Sequence, residues 1–146
     1  MQACLIPCTP RIGRVLSALV LALASLPASA AWTYVGDVSE GVIYYDEATL
    51  KKAGTLATLS TMINFTAKEP PKAGARPPAS MVTLMELDCG EARLREMNAE
   101  GFTQQNGKGT SISKSATPGA WKKISAPTFA KPEALMKVWG YACGKT

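Results

Sequence analysis

From Ala57 to Phe65 the chain alternates, with Ala57, Leu59, Ile63 and Phe65 apolar and Thr58, Ser60 and Asn64 polar, and only Thr61 breaking the pattern mildly. A two-residue period is that of a β-strand with one wet face, so it predicts a strand over 55–65. Met81 to Cys89 repeats the period: Met81, Thr83, Met85, Leu87 and Cys89 share one face, which should be the core face and carries the cysteine sulfur with it. Upstream, Trp32 to Asp46 holds two short aromatic and β-branched runs around the turn-prone stretch Gly36–Gly41, the pattern of an antiparallel hairpin. Near the C-terminus the period changes. Leu135, Val138, Trp139 and Ala142 recur at three- and four-residue spacing behind Pro132 and Glu133, which suit a helix's first turn, and Cys143 falls on or beside that apolar face.

The intervening segments are less periodic. Asp46 to Gly54 (DEATLKKAG) suits one helical turn or, better, a polar connection. Lys68 to Ser80 (KEPPKAGARPPAS) has four prolines and no apolar anchor, and reads as an exposed basic loop. Residues 91–98 stay open: propensity favours a helix, while Arg93-Leu94-Arg95 also fits a strand with charge out and leucine in. Asn106-Gly107 predicts a hairpin turn between Phe102 and Ser115, closed by Thr117-Pro118-Gly119.

The N-terminus has another purpose. Arg11 and Arg14 precede an apolar run from Val15 to Leu26, followed by Pro27 and Ala28-Ser29-Ala30, the order of a secretory signal peptide over 1–30, with one domain over 31–146. The run is shorter than the roughly twenty residues of a membrane span, and no later stretch comes closer, so no membrane span is expected in the mature chain. Cleavage removes Cys4 and Cys8 and leaves Cys89 and Cys143 in an oxidising compartment, periplasmic, secreted or at the cell surface. A disulfide between them ties the C-terminal helix to the sheet. The expected fold is therefore α+β: an antiparallel β-sheet with a C-terminal helix held to it by one disulfide.

Losing both leader arginines leaves fourteen cations against eleven acids, too mild a surplus for a nucleic-acid binder. The chain contains no histidine, which removes the commonest general base, the Ser-His and Cys-His nucleophile pairs and imidazole metal sites. Carboxylate pairs Asp46 with Glu47 and Glu86 with Asp88 are the residual catalytic candidates, but they read as solvated strand-end acids. No calcium loop or phosphate loop occurs, and no catalytic residue, metal or cofactor is expected. Lys68, Lys72 and Arg76, together with Lys122 and Lys123, form a candidate partner-binding surface for an acidic protein or a sulfated glycan. The aromatic residues, Tyr44 and Tyr45 among them, are expected mainly in the core, with one of these two exposed by alternation.

Several landmarks recur in order: Trp32, Val42-Ile43-Tyr44-Tyr45-Asp46, Leu87-Asp88-Cys89, Arg93-x-Arg95, Trp121 ahead of Pro127, and a short helix ending in Cys143. In this order the chain resembles the surface-adhesin protein E family of small exported proteobacterial domains. The resemblance implies the same joined cysteines and helix-on-sheet packing, and favours a strand at Arg93–Met97. It also implies a non-enzymatic module that binds host matrix or serum proteins and can form a homodimer. The family's lipid anchor is not matched, because Ala31 stands where the lipidated cysteine would be. The alternative is a periplasmic envelope protein that binds a bacterial partner or a small ligand.

Overall fold

A computed structural model describes residues 31–66, 77–125 and 132–145. Residues 1–30, expected as a signal peptide, and the basic positions Lys68, Lys72 and Arg76 lie outside the described residues. Strands β1 (Trp32–Asp37), β2 (Gly41–Ala53), β3 (Leu56–Phe65), β4 (Ser80–Asp88), β5 (Arg93–Phe102) and β6 (Ser111–Ser115) form an antiparallel meander in chain order. A two-residue strand β7 (Lys122–Lys123) joins the outer side of β5, and helix α1 (Pro132–Cys143) follows.

Register decides which residues reach the core. Leu59 opposes Met85 and Ala57 opposes Leu87, so one face of β3 and β4 turns its apolar set toward α1. On the helix, Ala134, Leu135, Val138, Trp139 and Ala142 are buried against Val35, Ala57, Leu59, Leu87, Leu94 and Ile124. The spacing that predicted the helix therefore identifies its buried face. The Trp139 indole Nε1 donates to the Asp88 carbonyl at 2.9 Å, which satisfies the ring's one polar group inside the core. Gly144 takes a left-handed φ of 66°, and Lys145 N donates to Gly140 O at 2.8 Å, closing the helix with a C-terminal cap. Cys89 and Cys143 are bonded, with Cα atoms 5.4 Å apart.

Two segments differ from their propensity. Residues 46–53, expected as a helical turn or connection, continue β2 across an irregularity between Asp46 and Lys51. Side chains replace the missing ladder there: Asp46 Oδ1 accepts from Ala48 N at 3.0 Å, and Thr49 Oγ1 donates to the Asp46 carbonyl at 2.7 Å while accepting from Ser60 N at 2.8 Å. Residues 93–102 are strand rather than helix. Leu94 enters the core opposite Leu87, while Arg93 faces Asp88 and Arg95 faces Glu86 across the strands, so tertiary pairing overrides local helix propensity.

The predicted Asn-Gly turn lies at the tip of the β5–β6 connection, with Asn106 at φ 62° and Gly107 at φ 66°, as the primed hairpin turn requires. This connection folds onto the sheet face opposite the helix. Asn106 N donates to Asn64 Oδ1, and Asn64 Nδ2 donates to Asn106 Oδ1, both at 2.8 Å. The buried Ser80 hydroxyl donates to Gln104 O at 2.6 Å and accepts from Gly107 N at 3.0 Å.

Candidate binding surfaces

The two sheet borders carry the exposed cationic and aromatic side chains. Along β5, β6 pairs with residues 99–102, Gly119 N donates to Glu96 O at 2.8 Å, and β7 pairs Lys123 with Arg93 and Lys122 with Leu94. Sheet pairing thus brings Lys122 and Lys123, distant in sequence from Arg93 and Arg95, to the same border. Both lysines are exposed and make no ion pair among the described residues. The arginines differ. Arg93 Nε donates to Asp88 Oδ2 at 3.0 Å and its Nη1 meets Glu91 at 3.0 Å, while Arg95 Nε donates to Glu86 Oε2 at 2.6 Å.

Both guanidiniums lie over the Trp121 ring, Arg93 at 4.9 Å and Arg95 at 4.7 Å from its centroid. This ladder of acid, arginine and indole fixes the base from which the lysines project. The Gly90 N–H holds the Asp88 carboxyl below the ordinary carboxylate range, with Arg93 and Glu91 N–H adding to it against desolvation. Glu86 and Asp88, considered above as catalytic candidates, are each committed to an arginine.

At the opposite border α1 runs beside β1 and leaves an open groove of about 940 Å³ along its length. Tyr34, Val35, Tyr45, Met136, Lys137 and Tyr141 are among its lining residues. A β-bulge at Val35 turns that side chain into the core, and Lys137 Nζ donates to the Val35 carbonyl at 3.4 Å. Tyr45 stacks on Tyr141 with ring centroids 4.4 Å apart, whereas Tyr34 and Met136 are exposed. Alternation sends Tyr44 to the other face, where its ring meets Tyr34 edge-on at 6.0 Å; both Tyr44 and Tyr45 are half-buried. Desolvation and the Glu47 charge push the Tyr45 and Tyr141 hydroxyls above the usual phenol range. A groove of this size and aromatic lining suits stacking on an apolar or aromatic group. Tyr34, Tyr45 and Tyr141 are visible in the sequence as aromatic candidates for a ligand platform, but their meeting is not, because the walls of the groove come from residues a hundred positions apart.

Among the described residues no group of three or more Cys, Asp or Glu side chains is placed to hold a metal ion. No described helix is long and apolar enough to cross a membrane.

A protein-family model described as surface-adhesin protein E matches residues 32–144. Among solved structures, crystal form II of Haemophilus influenzae protein E superposes with a TM-score of 0.54 at 13% identity, covering 76% of this chain and 87% of that one. Protein E from non-typeable Haemophilus influenzae gives a TM-score of 0.52 at 12% identity, covering 81% of this chain and 80% of that one. A search of curated proteins finds no match. At such identities the structural likeness carries the fold, and the family match carries the kinship.

Proposed function

The chain belongs to the surface-adhesin protein E family, and on that premise we propose that it is an exported, non-enzymatic, adhesin-like module that holds a protein partner. The family match across nearly the whole described domain carries this reading. The border at β7 supports it, because Lys122 and Lys123 stand exposed on a rigid arginine and tryptophan base and suit an acidic patch on a host matrix protein. Lys68, Lys72 and Arg76 lie outside the described residues and stay a separate basic candidate, since Ser80 beyond them pairs with Phe102 at one end of β5 while β7 pairs with Arg93 and Leu94 at the other. The test is binding of the exported chain to immobilised matrix proteins. Lys122→Glu with Lys123→Glu should weaken capture and flatten its salt dependence, and undiminished capture would move the binding surface elsewhere.

The β1–α1 groove favours a second reading, a periplasmic envelope protein that takes a small ligand or a bacterial partner. Protease treatment of intact cells separates the two. Release of peptides from 111–125 without lysis supports adhesion, and protection until lysis supports the periplasmic role.

A further inference from the structure

Asn106-Gly107 is the one Asn-Gly pair in the sequence, and the binding reading makes no use of it. Such a pair invites a specific reaction. The Gly107 backbone nitrogen attacks the Asn106 side-chain carbonyl carbon; a C–N bond forms, the Gly107 N–H proton is lost to solvent, Nδ2 takes up a proton from solvent and leaves as ammonia as its C–N bond breaks, and a cyclic succinimide results. Water then opens either ring carbonyl to give aspartate or isoaspartate. The glycine favours this step because no Cβ crowds the attacking nitrogen.

Asn106 is exposed, so water reaches it, yet both reacting groups are restrained. The nucleophilic nitrogen's own N–H donates at 3.0 Å to the hydroxyl of Ser80, a residue with no solvent exposure. The electrophilic carboxamide is held through Oδ1 by Asn64 Nδ2 at 2.8 Å, and the Asn106 backbone N–H is tied to the same Asn64 side chain. Gly107 lies so near the sheet that a Cβ there would sit 3.1 Å from Val82 Cγ2, which leaves the turn little room to rotate into an attack geometry.

We propose that Asn106 is a deamidation site whose rate is set by the Ser80 and Asn64 clamp, so that reaction requires the 103–110 connection to lift from the sheet. Isoaspartate at this position lengthens the main chain by one carbon and cannot keep both bonds to Asn64. Aspartate keeps the Oδ1 acceptor and the backbone N–H, so isoaspartate is the product that loosens the connection, and either product adds one negative charge.

The test ages the purified exported chain in mildly alkaline buffer, native and in urea, and follows conversion at residue 106 by peptide mass mapping that separates aspartate from isoaspartate. The native chain should convert roughly tenfold or more slowly than the unfolded one, as a reaction gated by local opening would. Ser80→Ala, with its fold verified by circular dichroism, should convert faster than wild type. Asn64→Asp, which keeps the oxygen acceptor but loses the amide donor, should do the same and serves if Ser80→Ala fails to fold. Equal native and unfolded rates, or a folded clamp variant converting at the wild-type rate, would overturn the proposal.

Discussion

Asp88 ends β4 and accepts hydrogen bonds from Gly90 N at 2.9 Å, Glu91 N at 3.2 Å and Arg93 Nε at 3.0 Å, while its carbonyl takes the Trp139 indole. One residue thereby shapes the β4–β5 turn and aligns the arginine ladder through its side chain, and meets the helix through its carbonyl. Because the folded state holds this carboxyl below its unfolded value, its stabilisation is present above the ordinary carboxylate pKa of about 4 and is lost as pH falls through the lower folded value. Thermal melts of Asp88→Asn should fall below wild type at neutral pH, and the gap should close as acid protonates Asp88; a gap constant from neutral to strong acid would refute the assignment. Removing the ring beneath the arginines with Trp121→Ala should cost about 1–2 kcal/mol in denaturant unfolding, since each guanidinium loses a cation–π partner.

The elements show where local pattern suffices. β3, β4 and α1 were legible because one face of each is buried, and burial leaves a period in the sequence. β5 was ambiguous because its pairing partners, Asp88 and Glu86 on β4, are visible only once the register is known. The extension of β2 past Asp46 was illegible for a related reason: Thr49 substitutes a side-chain hydroxyl for a ladder bond, and no propensity scale records that. The outer border is short, all exposed in β6, carries Lys114 and is interrupted at Pro118 before β7, features that blunt edge-to-edge pairing. Lys114→Val with Pro118→Val should raise light scattering on storage without lowering the melting temperature; clear solutions would mean the edge is guarded otherwise. Removing the disulfide with Cys89→Ser and Cys143→Ser opens a loop with sequence separation 54. The chain-entropy cost of about 4 kcal/mol should lower the melting temperature by on the order of 15 °C, and an unchanged melt would contradict the staple.

At the scale of the molecule, one helix covers one face of the sheet, and the two borders differ in character: cationic and hydrogen-bonded at β7, aromatic and grooved at β1. The candidate cations at Lys122 and Lys123 were visible in sequence, but their union with Arg93, Arg95 and Trp121 was not, since it depends on β7 docking antiparallel to β5. The β1 groove depends on the last element meeting the first. The chain-order meander also bears on how such a molecule acquires its shape. Every strand from β1 to β6 bonds its sequence neighbour, so a polypeptide emerging from a translocation pore N-terminus first can close each hairpin in turn without waiting for distant sequence. The helix and Cys143 follow every strand in the chain, so the Cys89–Cys143 bond closes across the whole of β5, β6 and β7. Oxidation is then a latch drawn at the end of assembly, one that slows unraveling and leaves the pace of assembly to the hairpins.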